Sequence, residues 1–122
     1  MSTIVLWVSD INRQADFYSA LLGVPITSKS DEFCAVGDEA NSVLLHLLPE
    51  RFRFSGTSLP PAQEEVAIKP VFRVADIQAA IDRASGNEIR ILGEVKSYNG
   101  IAYLDCIDPE GNVIQISDAL RN

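Results

Sequence analysis

The chain repeats one pattern twice, and this repeat constrains its fold more than any other feature. An apolar run ends in Val8-Ser9-Asp10-Ile11, and a second ends in Val74-Ala75-Asp76-Ile77, 66 positions later. Each run is followed by residues at helical spacing and then by segments typical of strands. Such internal repeats indicate two copies of one supersecondary unit. The sequence therefore predicts an α+β fold in which two β-α-β-β-β modules form curved mixed sheets around a crevice.

The chain is predicted to be a single domain, residues 1–122, with module one at 1–50, a linker at 51–65 and module two at 66–122. The linker is assigned because it contains Pro60-Pro61, Gly56 and several polar residues. We expect strands at 3–8, 26–30, 33–36, 42–48, 67–74, 94–97, 101–107 and 112–117.

Each module is predicted to contain one amphipathic helix that begins after its aspartate. The carboxylates of Asp10 and Asp76 can accept hydrogen bonds from free backbone N–H groups at a helix start. Gly23 lies where a left-handed helix end is expected. Apolar stripes at a spacing of three and four residues follow both aspartates, and they comprise Ile11, Ala15, Tyr18 and Leu22 in module one and Ile77, Ala80, Ile81 and Ala84 in module two.

Charge and composition exclude several function classes. The formal charge is −7, which disfavours nucleic acid and anionic membranes as partners because both repel an acidic chain. No apolar run approaches the ~20 residues that span a bilayer, and the first residues lack the basic region of a signal peptide. Cys34 and Cys106 are too few for a disulfide framework or a zinc site. We therefore expect a cytoplasmic protein.

Strand periodicity predicts which side chains face the crevice. Successive residues of a strand point to opposite faces, so Thr3 and Trp7 oppose the apolar set that packs under the helices. The same parity puts His46 opposite its leucine neighbours, and Tyr103 on one face with Asp105, which could instead pair with Arg73 or Lys69. The predicted ligand-binding residues are Thr3, Trp7, His46, Lys69, Arg73, Tyr103 and Gln115.

Several segments resemble the vicinal-oxygen-chelate superfamily, which includes glyoxalase I, bleomycin-resistance proteins and extradiol dioxygenases. They are Val8-Ser9-Asp10-Ile11, Phe17-Tyr18, Leu21-Leu22-Gly23, Asp108-Pro109-Glu110-Gly111-Asn112 and Ile114-Gln115-Ile116. The resemblance implies the paired-module fold over essentially the whole chain. It leaves the function open, because this fold hosts unrelated chemistries.

The resemblance also implies where a metal would bind in a metal-dependent member. The corresponding positions hold Thr3 and Lys69 on the first strands, and His46 and Gln115 on the last strands. A divalent cation prefers imidazole, carboxylate or thiolate ligands, and only His46 is of this kind. We therefore expect no metal and no other cofactor.

Two functions follow from these residues. The first is a metal-free protein that binds a small anionic or aromatic molecule in the crevice between the modules. The alternative is a lyase or isomerase of the glyoxalase type that uses His46 as its catalytic group, with a weakly held metal or none. The sequence leaves open whether the protein is an enzyme. We also predict a homodimer, because half-open sheets leave apolar edges that a second subunit usually covers.

Overall fold

The computed structural model describes residues 3–54 and 59–118 and contains two four-stranded mixed sheets, each with one α-helix. The predicted α+β fold of two β-α-β-β-β modules is confirmed. The ends of the predicted modules at 1–2 and 119–122, and the middle of the predicted linker at 55–58, lie outside the described residues.

Module one forms a sheet in which β1 is an edge strand parallel to β4, and the other neighbours are antiparallel. The strand order is β1-β4-β3-β2. A short 3₁₀ turn at Glu50–Phe52 follows the sheet. The elements are β1 (Thr3–Val8), α1 (Ile11–Leu22), β2 (Ile26–Lys29), β3 (Phe33–Gly37) and β4 (Ser42–Leu47).

Module two repeats this arrangement with the strand order β5-β8-β7-β6. Its edge strand β5 runs parallel to β8, and the remaining pairs are antiparallel. The elements are β5 (Val71–Arg73), α2 (Ile77–Ala84), β6 (Arg90–Tyr98), β7 (Ile101–Ile107) and β8 (Val113–Ser117).

Two strands differ from the sequence prediction. The strand expected at 67–74 is shorter, because Pro70 has no N–H for a ladder; its carbonyl oxygen still accepts from the Gln115 N–H at 2.9 Å. The strand expected at 94–97 is longer and starts at Arg90. A register shift between Leu92 and Lys96 breaks its alternation, and Gly93 adopts a φ of 84° there.

The two helices start as predicted. The Asp10 carboxylate accepts from the Arg13 N–H at 3.0 Å, and the Asp76 carboxylate accepts from the Ala79 N–H at 2.9 Å. Gly23 has a φ of 65° and ends α1 in the left-handed conformation. Neither helix in the described part of the chain is long and apolar enough to cross a membrane.

One hydrophobic core lies between the helices and the two sheets. The Tyr18 ring of α1 lies 5.8 Å from the Phe72 ring of β5, so the core is continuous between the modules. Polar side chains are buried beside this core: the Asp108 carboxylate accepts from the Tyr18 hydroxyl at 2.6 Å and from the Gln14 amide at 3.0 Å. Burial, followed by the nearby Asp108 charge, raises the pKa of Tyr18 well above its ordinary value.

Two equivalent turns hold the modules together. Glu110, in the turn between β7 and β8, accepts from the N–H groups of Ser9 and Asp10 at 2.8 and 2.9 Å. Asn41, in the turn between β3 and β4, donates to the Arg73 carbonyl at 2.6 Å and accepts from the Arg73 N–H at 3.0 Å. The turn of module one thus binds β5 of module two, and the turn of module two binds the segment between β1 and α1. β1 and β5 lie next to each other without a ladder among the described residues.

Candidate functional site

The candidate site lies on the sheet face that carries no helix. Along β1 the burial alternates, with Ile4 and Leu6 against the core and Thr3 and Trp7 exposed. Along β4, Val43 and Leu45 are buried while His46 points the other way. Tyr103 and Asp105 likewise flank the buried Leu104 on β7. The strand parity predicted from the sequence is confirmed for β1, β4 and β7. It does not hold before β5, where Ile68, predicted to pack under the helices, is 75% exposed.

Three aromatic rings form a row across module one. The strand register pairs Trp7 with His46 and His46 with Phe33. The ring centroids of Trp7 and His46 are 4.3 Å apart, and those of Phe33 and His46 are 5.9 Å apart. We call Trp7, His46 and Phe33 the aromatic row. Trp7 remains 54% exposed, so the row presents an open aromatic surface.

His46 occupies the middle of this row with one nitrogen unsatisfied. Its Nδ1 is buried and has no hydrogen-bond partner in the described part of the chain. Buried polar atoms normally have a partner, and a missing one calls for a physical explanation. The ring is therefore held by packing against Trp7 and Phe33 rather than by a hydrogen bond at Nδ1.

Three polar side chains form a second group on module two. The Lys69 ammonium donates to the Asp105 carboxylate at 2.8 Å, and the Gln115 amide donates to its other oxygen at 3.1 Å. Burial would raise the pKa of Asp105, but the bonds from Lys69 and Gln115 and the ammonium charges outweigh it and lower that pKa. We call Lys69, Asp105 and Gln115 the polar triad. Lys69 is therefore ion-paired with Asp105, which was one of the alternatives that the sequence left open.

A cleft of about 490 Å³ separates the two modules beside β1 and β5. Thr3 and Arg73 line it together, and Glu39 and Asn41 form part of its wall. Asn41 holds the Arg73 backbone, but no hydrogen bond or ion pair joins the Arg73 guanidinium to another described residue. Among the described residues, Arg73 thus offers a positive charge without a partner at the cleft.

A second cleft of about 320 Å³ lies along the same two strands, and its walls are mostly apolar. Val5 of β1 lines it together with Ile68 and Pro70 of the segment before β5. Ile68 is 75% exposed and Val5 is 50% exposed. Lys69 lies between Ile68 and Pro70 in the sequence, so this apolar surface adjoins the segment that carries Lys69.

Arg73 and Tyr103 belong to one row of module two, with Ser117 between them in the strand register. This row is the counterpart of the aromatic row, because Trp7 and Arg73 each stand three residues before their capping aspartate. Tyr103 also lines a separate small hollow of about 30 Å³ with Asp105.

The register corrects one step of the sequence comparison. Trp7 pairs with His46 and Arg73 pairs with Ser117, so the counterpart of His46 is Ser117. The counterpart of Gln115 is Leu44, since these residues pair with Val71 and Val5. Matching His46 to Gln115 was therefore wrong by two positions. The error arose because the β6–β7 hairpin is longer than the β2–β3 hairpin.

The residues of this face do not fit a divalent metal. Lys69 donates to Asp105, and Gln115 turns its NH₂ group toward the same carboxylate. His46 lies against Trp7 and Phe33 in the sheet of module one, whereas Gln115 belongs to the sheet of module two. Within residues 3–54 and 59–118, no three His, Cys, Asp or Glu side chains form a group that could hold a metal ion. A usual zinc site has three or more such ligands.

The structure thus distributes the seven predicted site residues over three places on one face. Trp7 and His46 lie in the aromatic row, Lys69 and Gln115 in the polar triad, and Thr3 and Arg73 at the larger cleft. Tyr103 lies on β7, two residues from Asp105 and on the far side of Ser117 from Arg73. Asn41 and Glu39 were not predicted, because no local pattern indicates that the turn between β3 and β4 reaches the strand of the other module.

Comparison with known proteins identifies the family. The sequence model of the Glyoxalase/Bleomycin resistance protein/Dioxygenase superfamily matches residues 1–116. None of the curated protein sequences matches this one at a significant level.

Solved structures share the fold at low sequence identity. A glyoxalase/bleomycin resistance protein/dioxygenase family enzyme from Burkholderia phytofirmans PsJN is similar with a TM-score of 0.71 and 17% identity, over 98% of each chain. A glyoxalase/bleomycin resistance protein from Albidiferax ferrireducens T118 gives a TM-score of 0.70 and 16% identity, over 96% of each chain. A virulence protein from Salmonella typhimurium gives 0.62 and 24%, over 96% of this chain and 94% of that one.

Proposed function

The chain belongs to the glyoxalase/bleomycin resistance protein/dioxygenase superfamily, and from this premise we propose that it is a metal-free protein that binds a small, flat, anionic molecule. The ligand would lie on the helix-free face between the two modules. The observation that carries the proposal is that one face holds both the open aromatic row and the Arg73 guanidinium, which has no partner among the described residues.

The aromatic row supports a flat ligand. Stacked aromatic pairs contribute about 0.5–1.5 kcal/mol beyond the area they bury. His46 is already held between Trp7 and Phe33, so the Trp7 ring is presented in a fixed orientation. A ligand ring that covers Trp7 also removes exposed indole surface from water, which is favourable.

Arg73 supports an anionic ligand. Its guanidinium lies on the larger cleft and has no partner among the described residues. A guanidinium presents donors in a fork that matches carboxylate geometry. In a chain with a formal charge of −7, this local positive charge can select an anion at one place on the surface.

The absence of a catalytic metal remains a proposal, and the donor chemistry supports it. The ammonium of Lys69 would repel a divalent cation, and Asp105 already binds that ammonium and the Gln115 amide. Zinc, nickel or manganese retained at one ion per chain after a chelator wash would contradict it.

A binding experiment tests the main proposal. Trp7 is the only tryptophan, so its fluorescence reports directly on the aromatic row. We expect 3-phenylpropanoate to bind by calorimetry and to change this emission, and the neutral alcohol 3-phenylpropanol to bind at least fivefold more weakly. Arg73→Gln should weaken 3-phenylpropanoate binding about tenfold, as expected for a lost charge-assisted hydrogen bond.

Matched variants keep this test specific. Arg51→Gln removes an exposed arginine that lies over Phe52 instead of on the cleft, and Tyr98→Ala removes an exposed ring on β6. Neither change should alter binding. If 3-phenylpropanoate does not bind, or binds equally well to the Trp7→Ala variant, the proposed site is wrong.

A second candidate function is a lyase or isomerase of the glyoxalase type. The His46 imidazole favours it, because its Nδ1 has no hydrogen-bond partner among the described residues and an imidazole is a group that can move a proton. The hemithioacetal of glutathione and methylglyoxal is a suitable probe, with NMR detection of the product. Turnover that His46→Gln abolishes, while 3-phenylpropanoate still binds, would favour this function over simple binding.

We further propose that the protein is a homodimer. The outer strands β2 and β6 are sheet edges in the described part of the chain, and β6 exposes Ile91, Val95 and Tyr98. Exposed apolar edges are commonly covered by a second subunit. Light scattering at tens of micromolar should give the mass of two chains, and the mass of one chain would refute the proposal.

A cytoplasmic location is also a proposal. Cys34 and Cys106 are buried free thiols, which suits a reducing compartment. Fractionation of the native host with detection by antibody would test it.

A further inference from the structure

Asp105 uses both carboxylate oxygens to hold one side chain each. Oδ2 accepts from Lys69 at 2.8 Å and Oδ1 accepts from Gln115 at 3.1 Å. The Asp105 side chain is 25% exposed and that of Lys69 is 45% exposed. The polar triad therefore lies at the boundary between protein and solvent, where a ligand can reach it.

The Asp105 carboxylate also determines which group of the Gln115 amide, the NH₂ or the carbonyl oxygen, faces it. An ionised carboxylate only accepts hydrogen bonds, so Gln115 must turn its NH₂ group toward Asp105. Its carbonyl oxygen is then directed away, and no described residue donates to it. Lys69 has three donors and uses one for Asp105, so two remain for a ligand.

The backbone keeps these two groups close together. Gln115 pairs with Val71 in the register of β5 and β8, and its N–H donates to the Pro70 carbonyl at 2.9 Å. Lys69 immediately precedes Pro70. The segment that carries the ammonium is therefore anchored to the strand that carries the amide, although Lys69 itself lies outside β5.

Resting on the proposed function, we infer that Asp105 is a positioning residue that presents the Lys69 ammonium and the Gln115 carbonyl oxygen as a fixed donor and acceptor pair. The ligand class that fits this pair is a carboxylate whose neighbouring carbon carries a hydrogen-bond donor. Arg73 pairs with Ser117, two residues from Gln115 on β8. The carboxylate that Arg73 attracts would therefore also accept from Lys69, while the O–H or N–H group beside it donates to Gln115.

Stability does not explain this arrangement well. An ion pair as exposed as that of Lys69 and Asp105 contributes little to folding, because water competes and the long side chain loses rotamer freedom. Variants of the triad should therefore remain folded, and their effect on ligand selectivity can be measured.

Four related acids test the inference by calorimetry. 3-Phenylpropanoate lacks a donor, 3-phenyllactate adds a hydroxyl, N-acetylphenylalanine adds an N–H, and 2-methoxy-3-phenylpropanoate adds an oxygen without a donor. We expect 3-phenyllactate or N-acetylphenylalanine to bind about three- to tenfold more tightly than 3-phenylpropanoate, the range of one hydrogen bond. The methoxy acid should show no gain. Which of the two donors gives the larger gain distinguishes a hydroxy acid from an acylated amino acid.

Two variants assign the selectivity to the triad. Gln115→Met keeps the side-chain length and removes the acceptor, so the donor-bearing acids should lose their advantage while 3-phenylpropanoate binding persists. Asp105→Asn can donate as well as accept, so it frees Gln115 to rotate and should reduce the same ratio. Asp16→Asn removes an exposed carboxylate on α1, the helix-bearing side, and should leave the ratio unchanged.

The outcomes separate this inference from the proposed function. If all four acids bind equally, the donor and acceptor pair is refuted and the binding function stands. If the ratio survives in Asp105→Asn, the positioning role of Asp105 is refuted. If none of the acids binds, the proposed function fails first and the inference fails with it.

Discussion

Trp7 is exposed although indole is one of the largest apolar side chains. A substitution at Trp7 should therefore affect ligand binding more than the free energy of unfolding. Because 54% of Trp7 is already in contact with water in the folded chain, Trp7→Ala should lower the free energy of unfolding by about 1 kcal/mol or less. The same variant should weaken 3-phenylpropanoate binding about tenfold. Urea unfolding and calorimetry measure the two effects.

Phe17 provides the opposite case for comparison. It is fully buried in α1, so Phe17→Ala should cost about 3–5 kcal/mol because it leaves a cavity. If Trp7→Ala destabilised the protein as much as Phe17→Ala, Trp7 would have to be a core residue, and its role in the aromatic row would be contradicted.

Lys69 shows which properties of a single residue could be predicted from the sequence and which could not. Strand parity indicated a position on the crevice side, and its ion pair with Asp105 was one of the alternatives. Whether the ammonium was paired or free depended on the register of β7 against β8, which no local pattern reveals. The structure shows the ion pair between Lys69 and Asp105, whereas the Arg73 guanidinium has no partner within residues 3–54 and 59–118.

At the scale of elements, both helices begin with an aspartate that caps free backbone N–H groups, so equivalent substitutions at the two caps should lower stability by similar amounts. Asp10 and Asp76 each accept from the N–H three residues further on, at 3.0 and 2.9 Å. Asp10→Ala and Asp76→Ala should each lower the free energy of unfolding by about 0.5–2 kcal/mol. Asp→Asn at either position keeps an acceptor oxygen and should lose less. Thermal unfolding of the four variants checks both statements, and an Ala variant as stable as its Asn partner would show that the cap is not formed.

The turn between β3 and β4 provides a second prediction at this scale. Asn41 is buried, and its amide binds both the N–H and the carbonyl of Arg73. Asn41→Ala leaves both backbone groups unsatisfied, so it should cost about 1–3 kcal/mol. Hydrogen exchange at the Arg73 amide should also become faster.

Asn12 is the matched control for Asn41. It is exposed on α1, and alanine favours helices more than asparagine does, so Asn12→Ala should be neutral or slightly stabilising. Equal losses in the two variants would contradict the role of Asn41 between the modules.

The strands show why elements were easier to predict than their pairing. In strands β1 and β4, core-facing residues alternate with outward-facing ones, and the bounds of both strands were predicted to within one residue. β6 was predicted too short, because the register shift near Gly93 breaks the alternation that a strand prediction needs. The length of that hairpin then displaced the comparison of His46 with Gln115. A local irregularity in one element thus caused an error at the site.

At the scale of the whole molecule, the repeat predicted the fold because each module must bury its own apolar stripe against a sheet. The sequence could not show how the modules meet. That contact depends on the side chains of Asn41 and Glu110, which lie in turns and reach about 32 and 100 positions along the chain. The site residues sit on both modules, so their grouping into the aromatic row, the polar triad and the cleft follows from this contact.

Glu110 makes the contact between the modules sensitive to pH. Its carboxylate accepts from the N–H groups of Ser9 and Asp10 at the start of α1. Burial raises its pKa above the ordinary value of 4.5; the two backbone N–H groups oppose this shift, and the charges of Asp108 and Asp10 add to it. A carboxyl whose pKa is higher in the folded protein favours folding while it is protonated and loses this contribution as pH rises through the folded pKa.

Glu110→Gln isolates this effect, because glutamine keeps an acceptor oxygen but cannot ionise. We expect the stability of the wild type relative to the Glu110→Gln variant to decrease as pH rises from about 4 to 7, measured by urea unfolding at several pH values. Glu64→Gln removes an exposed carboxylate and should shift stability by the same small amount at every pH. If the wild type instead gained stability relative to Glu110→Gln over this range, the hydrogen bonds from Ser9 and Asp10 would dominate over burial, and the pKa of Glu110 would be lowered in the folded protein.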